Sequence, residues 1–164
     1  MQILENIIEA GVGLAGFAGV IVALSGIPKT WSIAEKLRVG LMLVDFFVCV
    51  FGAFLYLLLD QFFGGDVAGK WCSIIIGSVF ILTAVVFMKM ATPVYRSPDP
   101  TFNLSVGLTL VLITMAPAGA VFLNGLFEFT AFLPLFDLLL VWGLILGAFL
   151  FLRILFHRPG AASQ

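Results

Sequence analysis

The sequence predicts an all-α integral membrane protein, a bundle of five transmembrane helices. Hydrophobic residues make up 62% of the chain and charged residues only 10%, whereas soluble domains are about 45–50% apolar and about 25% charged. Five apolar stretches are long enough to cross about 30 Å of hydrocarbon at about 1.5 Å per residue. The segments between them are too short to fold as soluble domains, so we expect residues 1–164 to form a single transmembrane domain.

The predicted spans cover residues 7–24, 39–59, 71–90, 104–127 and 134–156. Their orientation follows from the Lys and Arg residues, which are enriched in the cytoplasmic segments of membrane proteins. When the N-terminus is outside and the C-terminus inside, Lys70 is the one basic residue of 8 on the outer side. The others are then cytoplasmic: Lys29, Lys36, Arg38, Lys89, Arg96, Arg153 and Arg158. The chain is therefore predicted to be N-out and C-in.

Span one is rich in small residues. Gly13, Gly16 and Gly19 allow another helix backbone to approach closely, which favours helix packing in a bilayer. Glu9 lies within about 40° of Gly13 around the helix, so this face also carries a carboxylate. The structural alternative places Glu9 at the outer interface, where the N-terminal end of the helix dipole stabilises it.

Span two carries the main functional candidates on one face. A stripe of polar and small residues lies within about 40° of one line along this helix. Asp45, about 10 Å along the axis from Arg38, should face protein or water rather than lipid. Its structural alternatives are a hydrogen bond across the bundle, or neutralisation by protonation. We call this set the polar stripe: Arg38, Asp45, Cys49, Gly52, Tyr56 and Asp60.

Spans three to five contain packing and kink signals. Gly77 in span three and Gly107 in span four lie on small faces predicted to pack the bundle. Pro117, near the centre of span four, lacks a backbone N–H and should kink the helix, and such kinks occur at gates as well as without function. Pro134 suits the first turn of span five, and the helix dipole there would stabilise Asp137.

The first quarter of the sequence resembles a group of known proteins. Its first span contains Gly13-Leu14-Ala15-Gly16-Phe17-Ala18-Gly19-Val20, and the next segment contains Trp31-Ser32 and Leu37-Arg38. In these features the chain is similar to small uncharacterised bacterial polytopic membrane proteins with a Gly/Ala-rich first span. The resemblance implies a location in the bacterial inner (cytoplasmic) membrane and carries no activity.

Several function classes are disfavoured by composition. The one histidine, His157, lies outside the predicted spans, so a bis-histidine haem, a His-rich metal site and a Ser-His-Asp triad cannot form within the membrane from one chain. A net charge of −1 provides no basic surface for nucleic acid. We therefore expect no enzyme activity, no cofactor, no metal site and no nucleic-acid partner, and we expect the lipid bilayer to surround the chain.

Three functional hypotheses remain. In the first, the chain forms a homo-oligomeric pore that conducts cations, with span two on a shared axis, Asp45 as the intramembrane charge and Arg38 at the cytoplasmic mouth. In the second, the chain is a structural or accessory subunit whose polar stripe packs against a larger membrane complex. In the third, it is a small proton- or cation-coupled transporter that uses Glu9 or Asp45.

Overall fold

A computed structural model describes residues 2–24, 33–95 and 104–156, which form five helices and no strand. The helices are α1 (Gln2–Leu24), α2 (Ile33–Phe63), α3 (Gly65–Tyr95), α4 (Leu104–Phe127) and α5 (Phe132–Phe156). Each predicted span corresponds to one helix, and the bounds of α4 are those predicted. The helices α2 and α3 extend past the predicted spans at both ends, into flanking segments that contain charged residues. Predictions on Lys29, Trp31, Ser32, Arg96, His157 and Arg158 lie outside the described residues.

Within the described residues, four helices are long and apolar enough to cross a membrane, over Gln2–Val20, Lys36–Phe63, Gly65–Thr92 and Phe132–Arg153. The described apolar stretch of α4, Val111–Phe127, is shorter. Large apolar side chains point outward from the bundle, among them Phe51, Phe62 and Leu112. In the part of the chain whose burial is described, the buried polar or charged side chains are Arg38, Asp45, Ser73 and Asn124. Apolar surface around a partly polar interior suits a helix bundle whose solvent is lipid.

Two short connections lie at one end of the bundle, which we call the turn end: Gly64 between α2 and α3, and residues 128–131 between α4 and α5. Gly64 has a φ of 82°, which glycine adopts without steric cost. Its N–H donates to the Asp60 carbonyl at 3.1 Å, and its carbonyl accepts from Ala68 at 3.0 Å. Lys70, near the start of α3, forms an ion pair of 2.5 Å with Glu128 of the second connection.

The helices α1 to α4 pack side by side in chain order, and α5 contacts all four of them. In the described residues, α1 contacts only α2 and α5, and α2 does not contact α4. Phe17 of α1 packs against Phe151 of α5, with ring centroids 5.7 Å apart. The core therefore lies around α5, which carries no charged residue between Asp137 and Arg153.

The packing of α1 differs from the prediction. Gly13, Gly16 and Gly19 are exposed, and a Cβ atom added at any of them would have no neighbour within 4 Å. Gly11 lies at the contact with α2 instead, where an added Cβ would be 2.5 Å from Val50 Cγ2. Small residues occupy several faces of α1, so their spacing alone did not identify the face that meets the bundle.

The two other predicted packing glycines lie on α3 and α4. A Cβ at Gly77 would be 3.0 Å from Phe122 Cβ and 3.1 Å from the Phe122 backbone nitrogen. Gly77 therefore allows α3 and α4 to approach closely. Gly107 belongs to α4, but its surroundings lie outside the part of the chain whose side chains are described.

Candidate functional site

The polar stripe is buried inside a single chain. Arg38, Asp45, Cys49, Gly52 and Tyr56 are all buried, and Asp60 at the turn end is half-buried. The stripe faces α3 and α5. Gly52 shows this directly, because an added Cβ would be 3.0 Å from Leu140 Cδ2 of α5 and 3.3 Å from Ile76 Cγ1 of α3.

Two glycines of α5 bring its backbone close to the stripe. A Cβ at Gly143 would lie 2.6 Å from Cys49 Sγ, and a Cβ at Gly147 would lie 2.5 Å from Phe46 Cε1. These glycines form a Gly-x-x-x-Gly pair, a spacing typical of close helix packing in membranes. Sequence analysis missed this pair, although its spacing is visible in the sequence. The pair fixes α5 against α2 at the level of Asp45 and Cys49.

The Cys49 thiol is hydrogen-bonded within the bundle. Its Sγ donates to the Leu140 carbonyl at 3.2 Å. A helical carbonyl has a second lone pair available for such a bond. The thiol is therefore hydrogen-bonded to α5. Cys49 serves as a small residue at the contact between α2 and α5.

Asp45 has no such partner. Its side chain is 5% exposed, and no hydrogen bond or ion pair reaches its carboxyl group from the described residues. The facing helices carry no titratable residue between Cys72 and Lys89 on α3, or between Asp137 and Arg153 on α5. Buried polar groups in folded proteins are nearly always hydrogen-bonded. Asp45 is therefore the buried ionisable residue of the polar stripe that receives no hydrogen bond from the described residues, and its position calls for an explanation.

The other charged member in the interior, Arg38, lies toward the opposite end of α2. It is 6% exposed and interacts with another residue. A separation of about 10 Å along the helix axis keeps it from pairing with Asp45. The two charges of the stripe therefore occupy separate levels of the bundle.

At the turn end, the stripe meets the start of α3. The Tyr56 hydroxyl donates to the Gly65 carbonyl at 3.4 Å, and its ring stacks on Phe136 with centroids 5.8 Å apart. Asp60 Oδ1 lies 3.3 Å from the position of a Cβ added at Gly65. The N-terminal end of α3 stabilises a nearby carboxylate such as Asp60.

Two predicted site residues lie apart from the stripe. Glu9 is exposed on α1. Pro117 is half-buried inside α4, which continues through it as a single helix. Because α4 does not contact α2 in the described residues, Pro117 can influence the stripe only through α3 or α5.

Sequence analysis also missed a polar cap at the turn end. Asn124 is 2% exposed; its Nδ2 donates to the Thr130 carbonyl at 3.2 Å. Its Oδ1 accepts from the Thr130 N–H at 2.8 Å and from the Thr130 hydroxyl at 3.3 Å. These bonds hold the connection between α4 and α5 against the end of α4, and their role is structural.

A few buried polar atoms in the described residues have no hydrogen-bond partner: Ser73 Oγ, Asp137 Oδ1 and Trp142 Nε1. Within the same residues, no three His, Cys, Asp or Glu side chains are grouped so that they could hold a metal ion. Comparison of the chain with models of protein families, with curated proteins and with solved structures finds no match.

Proposed function

We propose that the protein conducts cations across a membrane, along the polar stripe inside each chain. The proposal includes a five-span bundle with the N-terminus outside and, from the resemblance of the first span, a location in the bacterial inner membrane. The observation that carries it is the buried and unpartnered carboxyl group of Asp45. An ionisable residue inside a membrane bundle is costly, and it typically marks an ion or proton pathway.

The path would connect two polar ends through Asp45. Arg38 lies about 10 Å from Asp45 along α2, and Tyr56 lies about 16 Å away in the other direction. Leu140 packs over Gly52 between Asp45 and Tyr56, so conduction requires this side chain to move. Arg38 would stand at the cytoplasmic mouth, and Tyr56 and Asp60 at the outer mouth.

The burial of the stripe changes the hypothesis of a pore on a shared axis. Such a pore needs its lining residues on the outside of each chain, whereas the stripe is enclosed by α3 and α5. An intramolecular path explains this burial without a partner copy. Under the proposal, a homo-oligomer would carry one path in each chain.

Cation flux into liposomes that contain the purified protein tests the proposal. Asp45→Asn keeps the size of the side chain and removes its charge, so we expect flux to fall by about tenfold or more, which is about 1.4 kcal/mol of barrier. Glu5→Gln makes the same chemical change on the exposed side of α1 and should leave flux unchanged. Equal flux from wild type and Asp45→Asn would contradict the proposal.

A second candidate is a subunit of a larger membrane complex. The observation that favours it is the outward-facing Gly13, Gly16 and Gly19 of α1, because small residues let a partner helix approach closely in lipid. In this case the wild type would co-purify with another membrane protein and show no flux alone. Gly16→Leu should then release the partner, while Gly40→Leu, at another exposed glycine with no neighbour within 4 Å of an added Cβ, should retain it.

A further inference from the structure

The surroundings of Asp45 restrict the ion that it can hold. On its own helix, the neighbours along the buried face are Met42 and Cys49, and both are buried. The Cys49 thiol already donates to the Leu140 carbonyl. Phe46 and Phe80, also buried, fill the contact with α5 at this level. The carboxyl group therefore lies in an apolar environment.

Metal cations need more oxygen ligands than this site supplies. Calcium takes about 6–8 oxygens and magnesium about six, and potassium sites in channels are built from rings of carbonyl oxygens. Asp45 contributes two oxygens, and no polar group of the described residues is hydrogen-bonded to them. The helical carbonyls accept backbone hydrogen bonds, and the second lone pair of the Leu140 carbonyl is used by the Cys49 thiol. A proton, in contrast, needs a single oxygen.

We infer that Asp45 is a proton-binding site, so that the cation conducted along the polar stripe is the proton. The transport part of this inference rests on the proposed function, whereas the binding part does not. Binding converts the Asp45 carboxylate and one proton to the neutral carboxylic acid, and release reverses the step. The neutral acid can remain in an apolar bundle without a counter-ion.

Apart from Cys49, one turn away on α2, the charged and titratable groups around Asp45 lie at other levels of the bundle. On the facing helices the nearest in sequence are Cys72 and Lys89 of α3, and Asp137 and Arg153 of α5. On α1 they are Glu5 and Glu9, which precede an uncharged run to the end of the helix. On α2 they are Cys49 and Arg38. No ion pair from the described residues fixes Asp45 in the charged state.

Labelling with dicyclohexylcarbodiimide tests the inference without any flux measurement. The carboxylic acid adds across a carbon–nitrogen double bond of the reagent, and the O-acylisourea formed rearranges to a stable N-acylurea. Peptide mass spectrometry then locates the added reagent. We expect the wild type to be labelled at Asp45. Labelling should fall about tenfold per unit of pH above the midpoint of protonation and should stay the same when sodium replaces choline in the buffer.

Two variants control the experiment. Asp45→Asn should lose the label, and Asp45→Glu, which keeps a carboxyl group, should retain it. Protection of wild-type Asp45 by sodium or potassium, or failure of Asp45 to be labelled in correctly folded protein, would overturn the inference. Sodium flux without labelling would leave the proposed conduction intact and reject the proton site. Labelling without flux would support the proton site and reject conduction.

Discussion

Two buried polar residues in apolar helices, Asn124 of α4 and Asp45 of α2, have opposite surroundings. They are 2% and 5% exposed. Asn124 makes three hydrogen bonds to Thr130, whereas no hydrogen bond from the described residues reaches Asp45. Burial alone therefore does not separate a structural polar residue from a functional one. The difference lies in whether the folded chain itself satisfies the buried group.

Replacing each of these residues with Leu should sharpen the contrast. Asn124→Leu leaves the Thr130 N–H and carbonyl without their partner, so the free energy of unfolding should fall by about 1–3 kcal/mol. Asp45→Leu removes a carboxyl group that has no partner to lose, so stability should be unchanged or should rise by about 1 kcal/mol, while flux is lost. Unfolding of the detergent-solubilised protein in a denaturing detergent measures both changes.

Thr130→Val serves as the matched control for Asn124→Leu. It removes the hydroxyl that donates to Asn124 but leaves the two bonds to the Thr130 backbone. Its cost should therefore be less than half that of Asn124→Leu. A large loss of stability in Asp45→Leu would show that Asp45 is held by polar contacts after all, and the contrast with Asn124 would disappear.

The region around Asp45 can also be tested by its packing. At Gly143 an added Cβ would lie 2.6 Å from Cys49 Sγ and 2.9 Å from Phe80 Cζ. Gly143→Ala should therefore force α5 away from α2 and destabilise the fold by about 1–3 kcal/mol. Gly13→Ala, at an exposed glycine with no such neighbour, should be neutral or slightly stabilising because alanine favours a helix. Equal stability of the two variants would contradict the close approach.

The helices and the polar stripe could be predicted from the sequence because both depend on local patterns. Apolar length predicted one helix for each span, and helical periodicity grouped Arg38, Asp45, Cys49 and Tyr56 on a single face. The burial of that face within one chain was not predicted. One of its two partners, α5, is apolar on all sides between Asp137 and Arg153, so periodicity could not indicate which residues of α5 face α2.

The remaining features lie outside the reach of helical periodicity. The bonds from Asn124 to Thr130 join α4 to the non-helical connection six residues further on, where the helical pattern no longer places side chains. The exposure of Gly13, Gly16 and Gly19 follows from the position of α1 at the edge of the bundle. A count of small residues could not show that position, because α1 carries glycines on more than one face.

The smallest expected effect concerns the turn end, where Lys70 and Glu128 form an ion pair. Glu128 has a φ of 57°, a left-handed conformation that costs a non-glycine residue roughly 1 kcal/mol, and its ion pair with Lys70 is partly exposed. Glu128→Gln should lower stability by at most about 1 kcal/mol, and salt should reduce the loss. Glu128→Gly removes the same charge but relieves the backbone conformation, so it should be more stable than Glu128→Gln. The reverse order in denaturant unfolding at low salt would show that the Glu128 side chain stabilises the turn beyond its charge, as Asn124 does.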